Sequence, residues 1–155
     1  MFDRHTDLNG ELAVGACPTR PEHVDQLAHV LGVRGVVNLQ SDDDMAAKAI
    51  HWPLLWQAYT AAGIQVTRVP MIDFDKRSLA RHLEDAVAAV EAHVSAGRKV
   101  YVHCQAGLNR SPTTIAAWLV AHRDMTPADA VAWISERHTC VPYGDVVARW
   151  WKKRR

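Results

Sequence analysis

The 155 residues hold only three cysteines, no apolar run of bilayer length and almost no net charge. Each shortage excludes something. Cys17, Cys104 and Cys140 are too few and too scattered to staple a disulfide framework, which points to a reducing compartment. Without a run near the length a bilayer demands, no membrane-spanning helix is expected. A formal charge of +1 gives no global field that would draw the whole chain onto nucleic acid or a lipid surface, so any recognition of an anion must be local. Met1 to Gly10 carries Asp3, Arg4, His5 and Asp7 and lacks the apolar core of a secretory signal, so the expected location is the cytoplasm. The nine histidines show no metal-ligand spacing such as His-Glu-x-x-His, and neither a metal nor another cofactor is expected. Repeats, low-complexity stretches and Gly/Ser linkers are missing as well. The chain therefore reads as one domain over residues 1–155, with an N-terminal arm at 1–10 and a basic tail at 149–155, and a monomer is assumed.

What the chain does have is an alternation of strand and helix patterns. Leu12–Gly15 is a short apolar strand, and Pro21 then opens a helix in which Val24, Leu27, Ala28 and Leu31 recur at helical spacing until Gly32. Val33 to Leu39 is a β-branched run of the kind found in buried strands. Ser41-Asp42-Asp43-Asp44 resembles a capping box that opens another helix, which Pro53 splits in two. Ile64 to Val69 gives the next strand and is followed by an acidic loop, Met71 to Lys76. A stripe of Leu79, Leu83, Ala86, Val87, Val90 and Val94 predicts a helix from Ser78 to Ala96. Lys99 to His103 is a strand that runs straight into Cys104, and Ser111-Pro112 begins a helix. Further helices are expected from Thr126 to Arg137 and from Asp145 to Trp151, the basic end of the latter reading as a solvated helix terminus. These patterns predict an α/β fold, a mainly parallel central sheet flanked by helices on both faces, with its ligand crevice at the carboxyl ends of the strands.

The segment from Cys104 to Arg110 lies at such an end. A phosphate monoester dianion repels nucleophiles, so its hydrolysis needs an attacking group, neutralisation of the phosphoryl oxygens and a proton for the departing alcohol. Five residues, Gln105, Ala106, Gly107, Leu108 and Asn109, separate cysteine from arginine, enough for a loop that turns its N–H groups onto a tetrahedral anion. Gly107 permits the wrap. The following helix aims its positive end at the same point and favours the thiolate of Cys104, the competent nucleophile. Arg110 can grip two phosphoryl oxygens at once. Ser111 can donate to the Cys104 sulfur as it leaves. Asp73, in the loop after the preceding strand, is assigned as general acid, with Asp75 as the competing residue and more plausibly a brace of the loop. His103 is read as an orienter whose ring donates to loop carbonyls, close to the substrate channel. Cys17 and Cys140 read as small buried hydrophobes.

The run Val102-His103-Cys104-Gln105-Ala106-Gly107-Leu108-Asn109-Arg110-Ser111 resembles the active-site motif of the cysteine-based, dual-specificity protein tyrosine phosphatases. Leu12-Ala13-Val14-Gly15 with Pro18, Pro21 and Glu22, then Asn38-Leu39-Gln40 with Asp42 and Asp44, and Asp73-Phe74-Asp75 with Ser78-Leu79, are similar to the catalytic domain of plant glucan phosphatases, as is Arg137 to Pro142. The resemblance implies a phosphocysteine mechanism that uses Cys104, Arg110 and Asp73, with a phosphorylated protein or a phosphorylated glucan as substrate and no obligatory nucleic acid. It also places Phe74 and Trp52 along a substrate channel, although a core position for Trp52 stays open. Asn109 stands where glucan phosphatases usually carry glycine. The Asn109-Arg110 pair also resembles cysteine-type RNA 5′-phosphatases, which generally lack an upstream general acid, and the loop has no lysine of the kind phosphoinositide phosphatases use. A catalytically silent phosphate-binding module could employ the same loop, but Cys104, Arg110 and Asp73 are all present.

Overall fold

Alternate residues of each predicted strand fall into different hydrophobic clusters, and this division builds the sheet. In the computed structural model, which describes residues 5–154, Leu12, Val14, Val37, Val100 and Val102 point into one cluster, whereas Ala13, Val36 and Tyr101 point into another. A period of two with both faces apolar is what a sheet covered on each side requires. The strands are β1 (His5–Asp7), β2 (Leu12–Gly15), β3 (Gly35–Asn38), β4 (Gln65–Arg68) and β5 (Val100–His103), in spatial order β1-β2-β5-β3-β4. All neighbours are parallel except β1, which pairs antiparallel with β2.

Helices α1 (Pro21–His29) and α3 (Trp52–Ala61) cover the face that holds Tyr101, through Val24, Leu27, Leu55 and Tyr59. The opposite face carries α4 (Lys76–Ser95), α5 (Arg110–His122), α6 (Pro127–Arg137) and α7 (Gly144–Arg154) around the fully buried Trp118. The short α2 (Asp42–Ala47) lies between β3 and α3 and opens with the expected capping box: Ser41 Oγ accepts from Asp44 N at 3.1 Å and Asp44 Oδ2 accepts from Ser41 N at 2.9 Å. Pro53 sits in the first turn of α3, where its missing N–H costs nothing. The expected division into two helices is present, α2 ending at Ala47 and α3 opening at Trp52 with Pro53 in its first turn.

Two expectations at the ends change. Residues 1–4 of the expected arm lie outside the described part, but His5–Asp7 is an edge strand, folded back by a turn in which Asn9 Oδ1 accepts from Glu11 N and Leu12 N. The basic tail, apart from Arg155, which is not described, is a bound helix and no frayed end. Trp150 and Trp151 pack half-buried on the larger cluster, while Arg154 lies 5.2 Å from the centre of the Trp150 ring and pairs with Glu84 at 3.2 Å. Cation–π attraction and this ion pair hold the last turn down.

Among the described residues no helix is long and apolar enough to cross a membrane.

Candidate active site

Gly15, His103, Asn38 and Arg68 are in register across the four parallel strands and end them together. The four segments that leave this row supply every part of the site. From β5 comes the loop Cys104 to Asn109, which then enters α5. Five of its six carbonyl groups are tied outward. His103 Nδ1 donates to Cys104 O, Cys17 N to Gln105 O, His138 Nε2 to Gly107 O, Val141 N to Leu108 O, and Thr113 N and Oγ1 to Asn109 O. A peptide unit points its N–H away from its carbonyl, so a loop whose carbonyls face out turns its amides in. No N–H of Gln105, Ala106, Gly107, Leu108 or Asn109 meets an acceptor among the described residues. Unpaired amides converging at the start of a helix form an anion cradle. Gly107 is required twice over: its φ is +75°, and a Cβ there would stand 2.6 Å from the carbonyl carbon of Gly15.

Cys104 sits at the floor of this loop, 2% exposed, with Sγ 3.3 Å from Ser111 Oγ. A reacting group must enter the loop to reach the sulfur. Arg110, equally buried, is held through both terminal nitrogens of its guanidinium. Its Nη1 donates to Asp44 Oδ2 at 2.6 Å and to Met71 O at 2.9 Å, its Nη2 lies 3.3 Å from Asp73 Oδ1, and its Nε has no partner. The guanidinium is thus fixed in direction with donor capacity left over for an oxyanion. Burial alone would raise the pKa of Asp44, but the hydrogen bonds from Arg110 and Ser41 outweigh it and hold the carboxyl below its ordinary range.

Asp73 stands beside Arg110, 28% exposed in its side chain, and its Oδ1 also accepts from Phe74 N at 3.0 Å. This local bond steadies Phe74 in a left-handed conformation, φ +57°, and the residue is 82% exposed. A bulky residue held there against its preference, exposed to solvent, is a strained feature of the rim. Asp75 faces the other way and caps α4, accepting from Arg77 N and Ser78 N, which is the bracing role read from the sequence. The structure therefore brings Cys104, Gln105 to Asn109, Arg110, Ser111, Asp73 and Phe74 to one rim.

His103 is different. At 1% exposure it cannot line a substrate channel, because β5 carries its ring onto the inner side of the sheet, where it stacks on Tyr101. Desolvation, joined by the nearby Arg110 and Arg68, depresses its pKa to about 4. The neutral ring donates through Nδ1 to Cys104 O, as an orienter would. Trp52 is half-buried on the second cluster, against Trp56 and Tyr59, and Arg68 covers its ring at 5.7 Å. The same guanidinium donates to Gln40 O and Asp42 Oδ1, so Arg68 stands between Trp52 and the segment after β3.

Sequence reading missed three partners. The sequence marks Asp44 as a capping-box residue, and nothing local indicates that the same oxygen receives Arg110. Gln40 Nε2 donates to Gln105 Oε1 at 2.6 Å while Gln105 Nε2 donates to Asp44 O, which ties α2 to the cradle. His138 also accepts from Thr6 Oγ1 at its second nitrogen, linking the edge strand to Gly107. Among the described residues no group of His, Cys, Asp and Glu gathers that could hold a metal ion.

Comparison with known proteins agrees with this geometry. The family model "Dual specificity phosphatase, catalytic domain" matches residues 18–146. Laforin of Mus musculus is 31% identical over 116 residues, 68% of this chain and 35% of that protein. The phosphoglucan phosphatase DSP4, amyloplastic, of Castanea sativa is 29% identical over 142 residues, 90% of this chain and 38% of that one. The chain thus spans little more than a third of the length of these curated relatives. The crystal structure of PTPMT1 in complex with PI(5)P superposes with a TM-score of 0.79 at 22% identity, covering 97% of this chain and 96% of that one, a likeness of fold. With the family model spanning most of its length and the amide cradle under it, the chain belongs to the dual-specificity phosphatases.

Proposed function

We propose that this chain is a cysteine-dependent phosphatase that hydrolyses phosphate monoesters through a phosphocysteine intermediate. The inward N–H groups of Gln105 to Asn109, left without acceptors by the outward-tied carbonyls, carry the reading. They fit the equatorial oxygens of a phosphoryl group, and Arg110 adds charge through its free Nε. Cys104 as thiolate attacks phosphorus in line, the phosphorus–oxygen ester bond breaks, and Asp73 gives its proton to the departing oxygen. Water then attacks the phosphocysteine with Asp73 as base. The bond to sulfur breaks, phosphate leaves, and Ser111 Oγ, 3.3 Å away, donates to the returning thiolate. His103 orients the loop, and Phe74 lines the mouth beside Asp73.

A phosphorylated protein, on tyrosine and on serine or threonine, is the substrate we favour. A phosphorylated glucan is the second reading, supported by the phosphoglucan phosphatase that matches 90% of the chain. The three free cysteines fit a cytoplasmic setting.

The test is vanadate-sensitive release of phosphate from an aryl ester by the unaltered chain and by Cys104→Ser. The serine variant keeps the pocket and loses the thiolate, so turnover should vanish while vanadate binding persists. Equal turnover by both proteins would refute the mechanism, and no turnover by the unaltered chain would make it a silent phosphate-binding module.

A further inference from the structure

Beside the mouth, α4 and α7 run parallel away from the rim. Lys76 and Asp145 join their first turns at 3.0 Å, and Glu84 and Arg154 join them two turns further on. Between them lies a recess of about 200 Å³ edged by Lys76, Arg77, Arg149 and Lys153, with Asp145 as its only acid and Val146 and Trp150 among its lining. Lys76 and Asp145 neutralise each other. Arg77, Arg149 and Lys153 have no carboxylate within ion-pair reach among the described residues, so a chain of net charge +1 concentrates three unanswered cations in one recess. The recess is rich in cations, with Asp145 as the one acid that lines it among the described residues.

It is also linked to the cradle through a short chain of contacts. Lys76 follows Asp75, the cap of α4, and its Nζ lies 5.0 Å from the centre of the Tyr143 ring. Tyr143 N donates to Thr113 Oγ1, which donates to Asn109 O at the end of the phosphate loop. From Asp145 to Lys153 the helix rises about 12 Å, which an extended peptide covers in about four residues.

We propose that this recess is a docking site for an acidic segment of a phosphoprotein substrate, lying a few residues from the phosphorylated side chain. The inference rests on the phosphatase reading and adds a substrate preference to it. Charge complementarity identifies the occupant: carboxylates answer the unpaired cations. A glucan would need a bare aromatic face for sugar stacking, and the Trp150 ring is covered by Arg154 at 5.2 Å and flanked by Trp151 at 6.0 Å. A flat anionic bilayer resting on the mouth would leave Lys153 behind it, since α7 recedes from the rim.

The experiment compares phosphotyrosine peptides with acidic or uncharged flanks, using the unaltered chain, Arg149→Glu/Lys153→Glu, and the milder Arg149→Gln/Lys153→Gln. The acidic flank should raise kcat/KM about tenfold through KM, with kcat unchanged, and high salt or either double variant should erase the preference. Turnover of an aryl phosphate should be the same in all three proteins, which also shows that the variants fold. Equal kcat/KM for both flanks in the unaltered chain would overturn the proposal. So would inhibition by phosphorylated glucan or anionic vesicles that both double variants abolish while the acidic preference survives. Binding of the acidic peptide without its phosphate, followed by fluorescence anisotropy, separates the two claims. Should the chain turn over no ester, binding that the variants lose still supports the recess, and no binding overturns it.

Discussion

Acidification from pH 7 to about pH 5 should weaken the fold through His103, and the loss can be worked from its burial. The ring is 1% exposed and its pKa is depressed from 6.5 to about 4, by desolvation first and then by Arg110 and Arg68. Between those two values the unfolded chain binds the proton and the folded chain does not. Stability therefore rises with pH across this window and is lost as pH falls through it. A depression of about 2.5 units corresponds to about 3 kcal/mol when complete, of which about 2 kcal/mol disappears between pH 7 and pH 5. With a urea dependence of about 2 kcal/mol per molar, the unfolding midpoint should fall by about 1 M. The control is His103→Asn, whose amide nitrogen can still donate to Cys104 O but does not titrate. His23 and His93, whose pKa values are also lowered by burial, stay in both proteins and cancel in the comparison. If both proteins lose stability in parallel between these pH values, His103 is not held neutral by its surroundings and the reasoning fails.

Asp73→Asn should lower kcat about 100-fold on alkyl phosphates and far less on aryl esters whose leaving groups need little protonation; equal losses in steady-state assays would remove Asp73 as the acid. Asp44→Asn should lower kcat by up to about 100-fold with little change in KM, because Arg110 loses the carboxylate that sets its direction, and the crystal structure of the variant should show the guanidinium turned. Gly107→Ala should destabilise the fold by about 1–3 kcal/mol in urea unfolding and remove turnover, since its Cβ meets the Gly15 backbone.

Most of the scaffold was legible because its elements follow single periodicities. The stripe from Leu79 to Val94 became α4, and the run into Cys104 became β5 and the loop after it. β1 was missed, although Asn9-Gly10, a dipeptide that commonly turns hairpins, stands between it and β2; the three polar residues of His5–Asp7 gave no strand pattern of their own. Cys104, Arg110 and Asp73 could be proposed from the sequence because the chemistry of phosphate transfer needs such groups at a strand end. The role of Asp44 could not, since 66 residues separate it from Arg110 and only the alignment of β3 beside β5 brings them together. His103 shows the converse: it adjoins the proposed nucleophile in sequence, yet the alternation of a strand sends the two side chains to opposite sides.

The cradle's shape is imposed from outside the loop, and this explains why so many distant residues converge on it. Six residues have too few contacts of their own to hold several unpaired amides in one direction against water and the backbone's other choices. The fold supplies the constraint through the carbonyls: β5 holds the first through His103, the segment after β2 holds the second through Cys17, the end of α6 holds Gly107 through His138, the turn before α7 holds Leu108, and α5 holds Asn109. Each tether leaves one N–H facing inward with no acceptor, a cost that an oxyanion can offset. The donors are therefore already aligned before any phosphate arrives, so the chemical step need not pay to orient them. The same turn that holds Leu108 through Val141 leads through Tyr143 to Lys76 and the cationic recess, so substrate docking and loop geometry share one short stretch of chain.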